Sequence, residues 1–310
     1  MQQATNTILM IRPAQFRKNE ETAVNNYYQQ KSDLLPDVLA KKAQKEFDDF
    51  VKVLSDAGIE ITVVEDDPKL DTPDALFPNN WISFHANGDI ALYPMFAPNR
   101  RRERRPEVIE KLEQQGFVIH NVVDYTTAEE EEIFLEGTGS IVLDRVHRKA
   151  YCALSPRADE ELLIEFCEDF EYTPVIFTAY QNVKDKRLPI YHTNVMMCVG
   201  TTFAVVCLDC IDDKKERKNM LKHLKEDGKT IIAITESQVK QFAGNMLQLI
   251  GAEGKPLTVM STSAYNSLTA QQIKAVEAHG SIVHSDLESI ETHGGGSARC
   301  MVAEVFLTKK

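Results

Sequence analysis

A repeated alternation of short apolar runs, helix-patterned segments and glycine most constrains what this chain can fold into. A strand at Ile8–Arg12 and a helix over Asp37–Asp56 end at Gly58, and Ile59–Val64 returns as a strand. Glycine just past a helix is a natural C-terminal stop. The plan recurs in a second block. Trp81–His85 and Asp89–Tyr93 flank Asn87-Gly88, a strong hairpin signal, before a helix at Pro106–Gln115, Gly116 and a strand at Phe117–Val123. A third block pairs Ser140–Asp144 with Ala150–Leu154, then predicts a helix at Asp159–Phe170 and a strand at Val175–Ala179. A fourth has Val195–Val199, Phe203–Leu208, a helix at Lys215–Glu226, Gly228 and Thr230–Ile234. The fifth has Leu257–Met260, a helix at Ala270–His279, Gly280 and Ser281–His284, and reaches across the tail to Cys300–Leu307. Units of β-β-α-β type with this period suit radial repetition as in a propeller, and the same alternation also suits a mixed α/β sandwich.

Bulk composition narrows the class further. Hydrophobic residues make up 43% of 310 residues, enough for a substantial core. A net charge of −12 argues against nucleic acid or an anionic membrane surface as general partners. No apolar run reaches the length of a membrane span, and the first residues lack a signal-peptide pattern. The six cysteines form no secreted disulfide framework, so the expectation is a cytoplasmic protein with free thiols.

One of those thiols stands apart. Cys300 follows Gly294-Gly295-Gly296-Ser297-Ala298-Arg299, a stretch with little side-chain bulk, where a small molecule is expected to reach it. Cys207-Leu208-Asp209-Cys210 lacks a partner pair or histidines at ligand spacing and reads as structural. The run Arg100–Arg105 reads as the solvated start of a helix. Three polar clusters fall directly before strand-like runs: Phe77-Pro78-Asn79-Asn80, Glu136-Gly137-Thr138-Gly139 and Tyr191-His192-Thr193-Asn194. A thiol with an imidazole and a carboxylate makes an activated nucleophile, because the imidazole takes the thiol proton and the carboxylate fixes the imidazole. Each residue alone has an ordinary structural explanation, His192 as a satisfied buried histidine and Glu136 as a loop carboxylate.

The order Phe-x-x-Asn, Glu-Gly-x-Gly, His-x-Asn and a glycine-rich loop ending in cysteine resembles the guanidino-group modifying superfamily. That superfamily holds arginine deiminases, dimethylarginine hydrolases, succinylarginine dihydrolases and amidinotransferases. With Gln241-Phe242-Ala243-Gly244-Asn245 included, the pattern is most similar to the citrulline-utilisation hydrolase branch. The resemblance implies a single catalytic domain over 1–310, folded as a five-bladed α/β propeller (the pentein fold) with its site on the axis. It also implies Cys300 as nucleophile, His192 as general acid and base, and Glu136 as the assisting carboxylate. Asn79, Asn80, Asn194 and Asn245 are the expected substrate-binding residues, and no metal or organic cofactor is expected.

Arginine deiminases carry aspartate where this chain has Asn80 and Asn194. A guanidinium is a cation that only donates, and paired carboxylates suit it. A ureido group is neutral and both donates and accepts, as does asparagine. The expected reaction is therefore hydrolysis of citrulline to ornithine through an S-carbamoyl enzyme, with a small ureido or guanidino amino acid as partner. The rivals are a deiminase, dihydrolase or amidinotransferase acting on a guanidinium, and a non-catalytic propeller used as a binding module. Asn245, Arg187 and Arg299 are candidates for the substrate's α-groups.

Overall fold

The computed structural model describes residues 2–310. Among them, the strands form five three-stranded sheets and one separate two-stranded hairpin. The three-stranded sheets share one plan. In each, the middle strand pairs antiparallel with one neighbour and parallel with the other. A parallel pair needs a long crossover, and here a helical segment supplies it every time.

In the first sheet, Thr7–Arg12 runs parallel to Glu60–Glu65 across the helix Pro36–Asp56. The second joins Ile82–Phe84, Asp89–Leu92 and Asn121–Asp124 across the helix Pro106–Gln114. The third joins Ile141–Asp144, Lys149–Leu154 and Thr173–Thr178 across Glu160–Asp169. The fourth joins Met197–Val199, Phe203–Val206 and Thr230–Ala233 across Lys214–Glu226. The fifth joins Leu247–Ile250, Pro256–Ser261 and Ser281–Ser285, with Ala270–Glu277 in its crossover.

Two sequence expectations change here. The predicted strand Cys300–Leu307 shrinks to Ala303–Glu304 and pairs with Thr7–Arg12, so it belongs to the first sheet. Cys300 itself lies in a turn, where its N–H and that of Met301 bond back to the Ser297 carbonyl. The fifth sheet takes its first strand instead from Leu247–Ile250, which no sequence block included. The hairpin of Tyr180–Val183 with Lys186–Pro189 was also unforeseen.

The core explains why the middle strands are apolar on both faces. Side chains alternate across a strand, and the two faces of each strand enter different layers. Ile8 and Met10 pack with Phe47, Phe50 and Leu54 of the first helix and with Leu249 and Val259 of the fifth sheet. Leu9 and Ile11 pack instead with Phe84, Ile90 and Leu112 of the second unit. Ala91 and Tyr93 join the layer of Phe166 in the third unit, while Tyr151 and Ala153 face Val205 and Met220 of the fourth. Each sheet thus shares apolar layers with its neighbours. The third helix lacks the following glycine, and Glu171 there takes a φ of 54° where Gly58 has 90°. No helix among the described residues is long and apolar enough to cross a membrane.

Candidate active site

Five sheets contribute to one place through the same structural position, the turn before the strand that pairs antiparallel with the middle one. Asn80 ends the short turn Pro78–Asn80 before Ile82–Phe84, and Glu136 precedes the turn Gly137–Ser140 before Ile141–Asp144. His192 and Asn194 stand at Thr193–Val195 before Met197–Val199. Asn245 precedes Leu247–Ile250, and Cys300 precedes Ala303–Glu304.

His192 Nε2 lies 2.7 Å from Glu136 Oε2. The same carboxylate oxygen is 3.3 Å from Arg157 Nη1, and Oε1 accepts from the Phe96 N–H at 3.0 Å. Burial pushes the Glu136 carboxyl up, but Arg157, His192 and Arg100 outweigh it and hold the group below the usual carboxylate range. Burial lowers His192 to about 4, against the opposing pull of Glu136. The imidazole is therefore neutral at pH 7. With Nε2–H donated to the carboxylate, Nδ1 keeps its lone pair.

The thiol is ringed by amides. Asn245 Nδ2 is 3.2 Å from Cys300 Sγ and Asn194 Nδ2 is 3.5 Å away. Asn245 is pinned from both ends, since its Oδ1 accepts from the Arg299 N–H and its Nδ2 also donates to the Asn194 carbonyl, each at 3.0 Å. Asn80 is pinned by Arg100 Nη1, which donates to its Oδ1 at 2.7 Å. Its Nδ2 is buried without a partner. A Cβ on Gly139 would lie 2.3 Å from that Nδ2 and 2.8 Å from His192 Nδ1, so only glycine lets the two meet there.

Asn80, His192 and Cys300 line one small cavity with Asp74, Arg100 and Arg157. Asn79 is buried beside this cavity rather than in its wall, with its carbonyl accepting from Thr138. Arg187 is held by Asp212 and Glu236 on the separate hairpin, and Arg299 by Glu304, so neither lines the cavity.

Two expectations are corrected. Cys300 is buried, not open. The glycine loop is packed under the segment 19–30, where Asn26 Nδ2 donates to the Gly295 carbonyl and Gln29 Nε2 to that of Gly294. Gly295 has a φ of 67°, and a Cβ on Gly296 would sit 2.8 Å from Phe77. The glycines serve close packing over the thiol. Arg100 is likewise not solvated: it is 2% exposed and gripped through Nε and Nη2 by Glu103, each contact 2.9 Å.

Sequence reasoning missed Arg100, Arg157 and Asp74. Arg157 reaches from beyond the third sheet's hairpin to Glu136, Asn25 and the Thr22 carbonyl. Asp74 accepts from Asn19 and Thr22 through Oδ2, and its Oδ1 has no partner. Burial pushes its carboxyl up, opposed by Arg100. The one signal in the sequence was the arginine run itself, and its periodicity gave no reason to bury the first member.

The model of the family described as N,N dimethylarginine dimethylhydrolase, eukaryotic, matches residues 12–307. The chain belongs to this family. It thereby lies within the guanidino-group modifying superfamily. No curated protein sequence matches it. Among solved structures it is similar to the substrate-bound N-terminal domain of a mutant of ArgZ, an arginine dihydrolase from the ornithine-ammonia cycle in cyanobacteria. That match has 15% identity over 96% of this chain and 97% of the other, with a TM-score of 0.73. AgrE in a ternary complex with ornithine and NAD+ matches at 15% identity and a TM-score of 0.70, over 98% of this chain and 39% of AgrE. A mutant dimethylarginine dimethylaminohydrolase carrying an S-methyl-L-thiocitrulline adduct matches at 14% identity and a TM-score of 0.64, over 96% and 98%. At these identities the likeness establishes a shared mixed α/β fold.

Proposed function

We propose that this family member is a cysteine hydrolase that cleaves a C–N bond of a ureido amino acid, converting citrulline to ornithine. The observation that carries the reading is the set of pinned asparagines. Arg100 consumes the Asn80 oxygen and the Arg299 N–H consumes that of Asn245, so both present N–H groups towards the reacting centre. Donors suit a ureido carbonyl, whereas a guanidinium brings only donors of its own. The family's dimethylarginine dimethylhydrolase activity and the arginine dihydrolase among the similar structures support hydrolytic C–N cleavage on arginine-like amino acids.

In the proposed reaction His192 Nδ1 takes the Cys300 proton and Sγ bonds to the ureido carbon. Asn80, whose Nδ2 has no other partner, donates to the developing oxyanion, as preorganised donors do in acyl transfer, while Asn245 Nδ2 holds the attacking sulfur. The carbon–nitrogen bond to the ornithine side breaks as His192 returns the proton to the leaving amine. Water, deprotonated by His192, then releases carbamate from the S-carbamoyl enzyme, and carbamate decomposes to ammonia and carbon dioxide. Glu136 holds the imidazole and stabilises its charged form. Asp74, with Oδ1 free in the cavity, takes the α-ammonium. The chemistry needs no metal or organic cofactor, since nucleophile and proton shuttle are both side chains.

A second reading is hydrolysis of a guanidinium in arginine or a methylated arginine. The partnerless Oδ1 of Asp74 in the cavity wall favours it, as does the activity in the family's description. We also infer one domain over 1–310 with the five sheets as blades of an α/β propeller. The cyclic sharing of apolar layers, the fifth sheet with the first and so on round, supports this. The test is a panel of citrulline, arginine and methylated arginines with products identified by mass spectrometry. Ornithine from citrulline is expected, and a clear preference for arginine sinks the argument from the asparagines.

A further inference from the structure

Asn194, which touches the Cys300 thiol, also lines a second cavity in which the thiol has no part. This small cavity lies among Gln3, Thr138, Arg145, Gln248, Arg299 and Glu304. Its chemistry is unbalanced. Arg299 is neutralised by Glu304 at 2.7 Å, but Arg145 has no such partner. Among the described residues no carboxylate lies within ion-pair distance of Arg145, and none of its guanidinium N–H groups has a hydrogen-bond acceptor. Yet the residue is only 3% exposed. The other deeply buried arginines, Arg100 and Arg157, are both paired with carboxylates.

A buried, unpaired cation is costly, because it loses hydration with nothing to replace it. The Phe306 ring, 4.0 Å from the guanidinium carbon, offsets part of that cost. The placement is also built rather than incidental. Gln3 Oε1 accepts from the Arg145 backbone N–H at 2.8 Å, while its Nε2 donates to the Leu143 and Val199 carbonyls of two different sheets. The Arg145 backbone is thus fixed at the cavity wall, and its guanidinium, stacked on Phe306, makes no hydrogen bond among the described residues.

We propose that this cavity is a binding site for a small planar oxyanion of the carboxylate or bicarbonate type, held by the Arg145 guanidinium. The fork of a guanidinium matches two oxygens of such an anion. The anion supplies the charge that no side chain supplies. The site stands apart from the reaction proposed above, because it is defined without Cys300 and is measured without substrate.

The test is line broadening of ¹³C-labelled formate and bicarbonate by the intact protein at fixed ionic strength, with chloride as competitor. Saturable binding is expected for the wild type, at least about tenfold weaker in Arg145→Met and intermediate in Arg145→Lys, which keeps the charge but loses the two-pronged fork. Val142→Phe, which leaves the guanidinium in place and fills the cavity it lines, is expected to abolish binding whatever the folding of the Arg145 variants. No saturable binding in the wild type overturns the proposal. Equal binding in Val142→Phe does so too, and so does displacement by chloride at equal concentration, which removes the planar preference.

Discussion

Between sheet and helix this chain buries Phe47, Phe50 and Phe166 among other apolar side chains, whereas around Cys300 it buries Arg100, Arg157, Glu136 and Asp74. The layers are held by apolar area removed from water, which is tolerant of identity and strict about volume. The site is held by paired charges and pinned amides. Those contribute little net stability but fix direction, and loss of one partner leaves another buried and uncompensated. The difference separates positions that set whether the chain folds from positions that set the geometry around the thiol.

Substitution at the thiol breaks the comparison most sharply if it fails. Cys300→Ser should lower turnover by about a thousandfold or more with an unchanged melting temperature. Residual activity near wild type removes the nucleophile. Phe47→Ala, in the layer shared by the first and fifth sheets, should cost about 3–5 kcal/mol of stability in urea. Activity per folded molecule should hold there, and a large fall would mean that layer and site are coupled.

Gly58→Ala probes the joint between helix and strand. A Cβ there meets Ala252 backbone at 2.6 Å with φ at 90°, so a loss of about 1–3 kcal/mol is expected by thermal denaturation. The smallest effect is on the pH profile. With His192 at about 4 rather than its ordinary 6.5, the imidazole stays neutral as pH falls through 6. Between pH 7 and 5.5 kcat/KM should fall less than about twofold, where an unshifted histidine would give about tenfold. An acid limb near 6.5 would place the proton shuttle elsewhere.

The helices and most middle strands were legible because apolar periodicity and terminal glycine encode them locally, as at Pro36–Asp56 with Gly58. Leu247–Ile250 was missed because it is four residues long and follows a turn without breaking the apolar run of Met246. The assignment of Ala303–Glu304 to the first sheet was illegible for a different reason. Its partner lies at the other end of the chain, and two-residue pairing leaves no pattern. The motif residues Asn80, Glu136, His192 and Cys300 were readable as a set, while Asp74, Arg100 and Arg157 carry no local signature of burial.

The sequence by itself determined the alternation, the residues before each strand and the choice of amide over carboxylate at Asn80 and Asn194, since all of these are chemical identities in order. Only the tertiary structure decided that those turns meet, that the thiol lies covered by residues 19–30, and that Arg100 and Arg299 fix which way two of the amides point. The reason is physical: composition and period act over a few residues, but the orientation of a buried amide is set by whichever distant donor has no other acceptor.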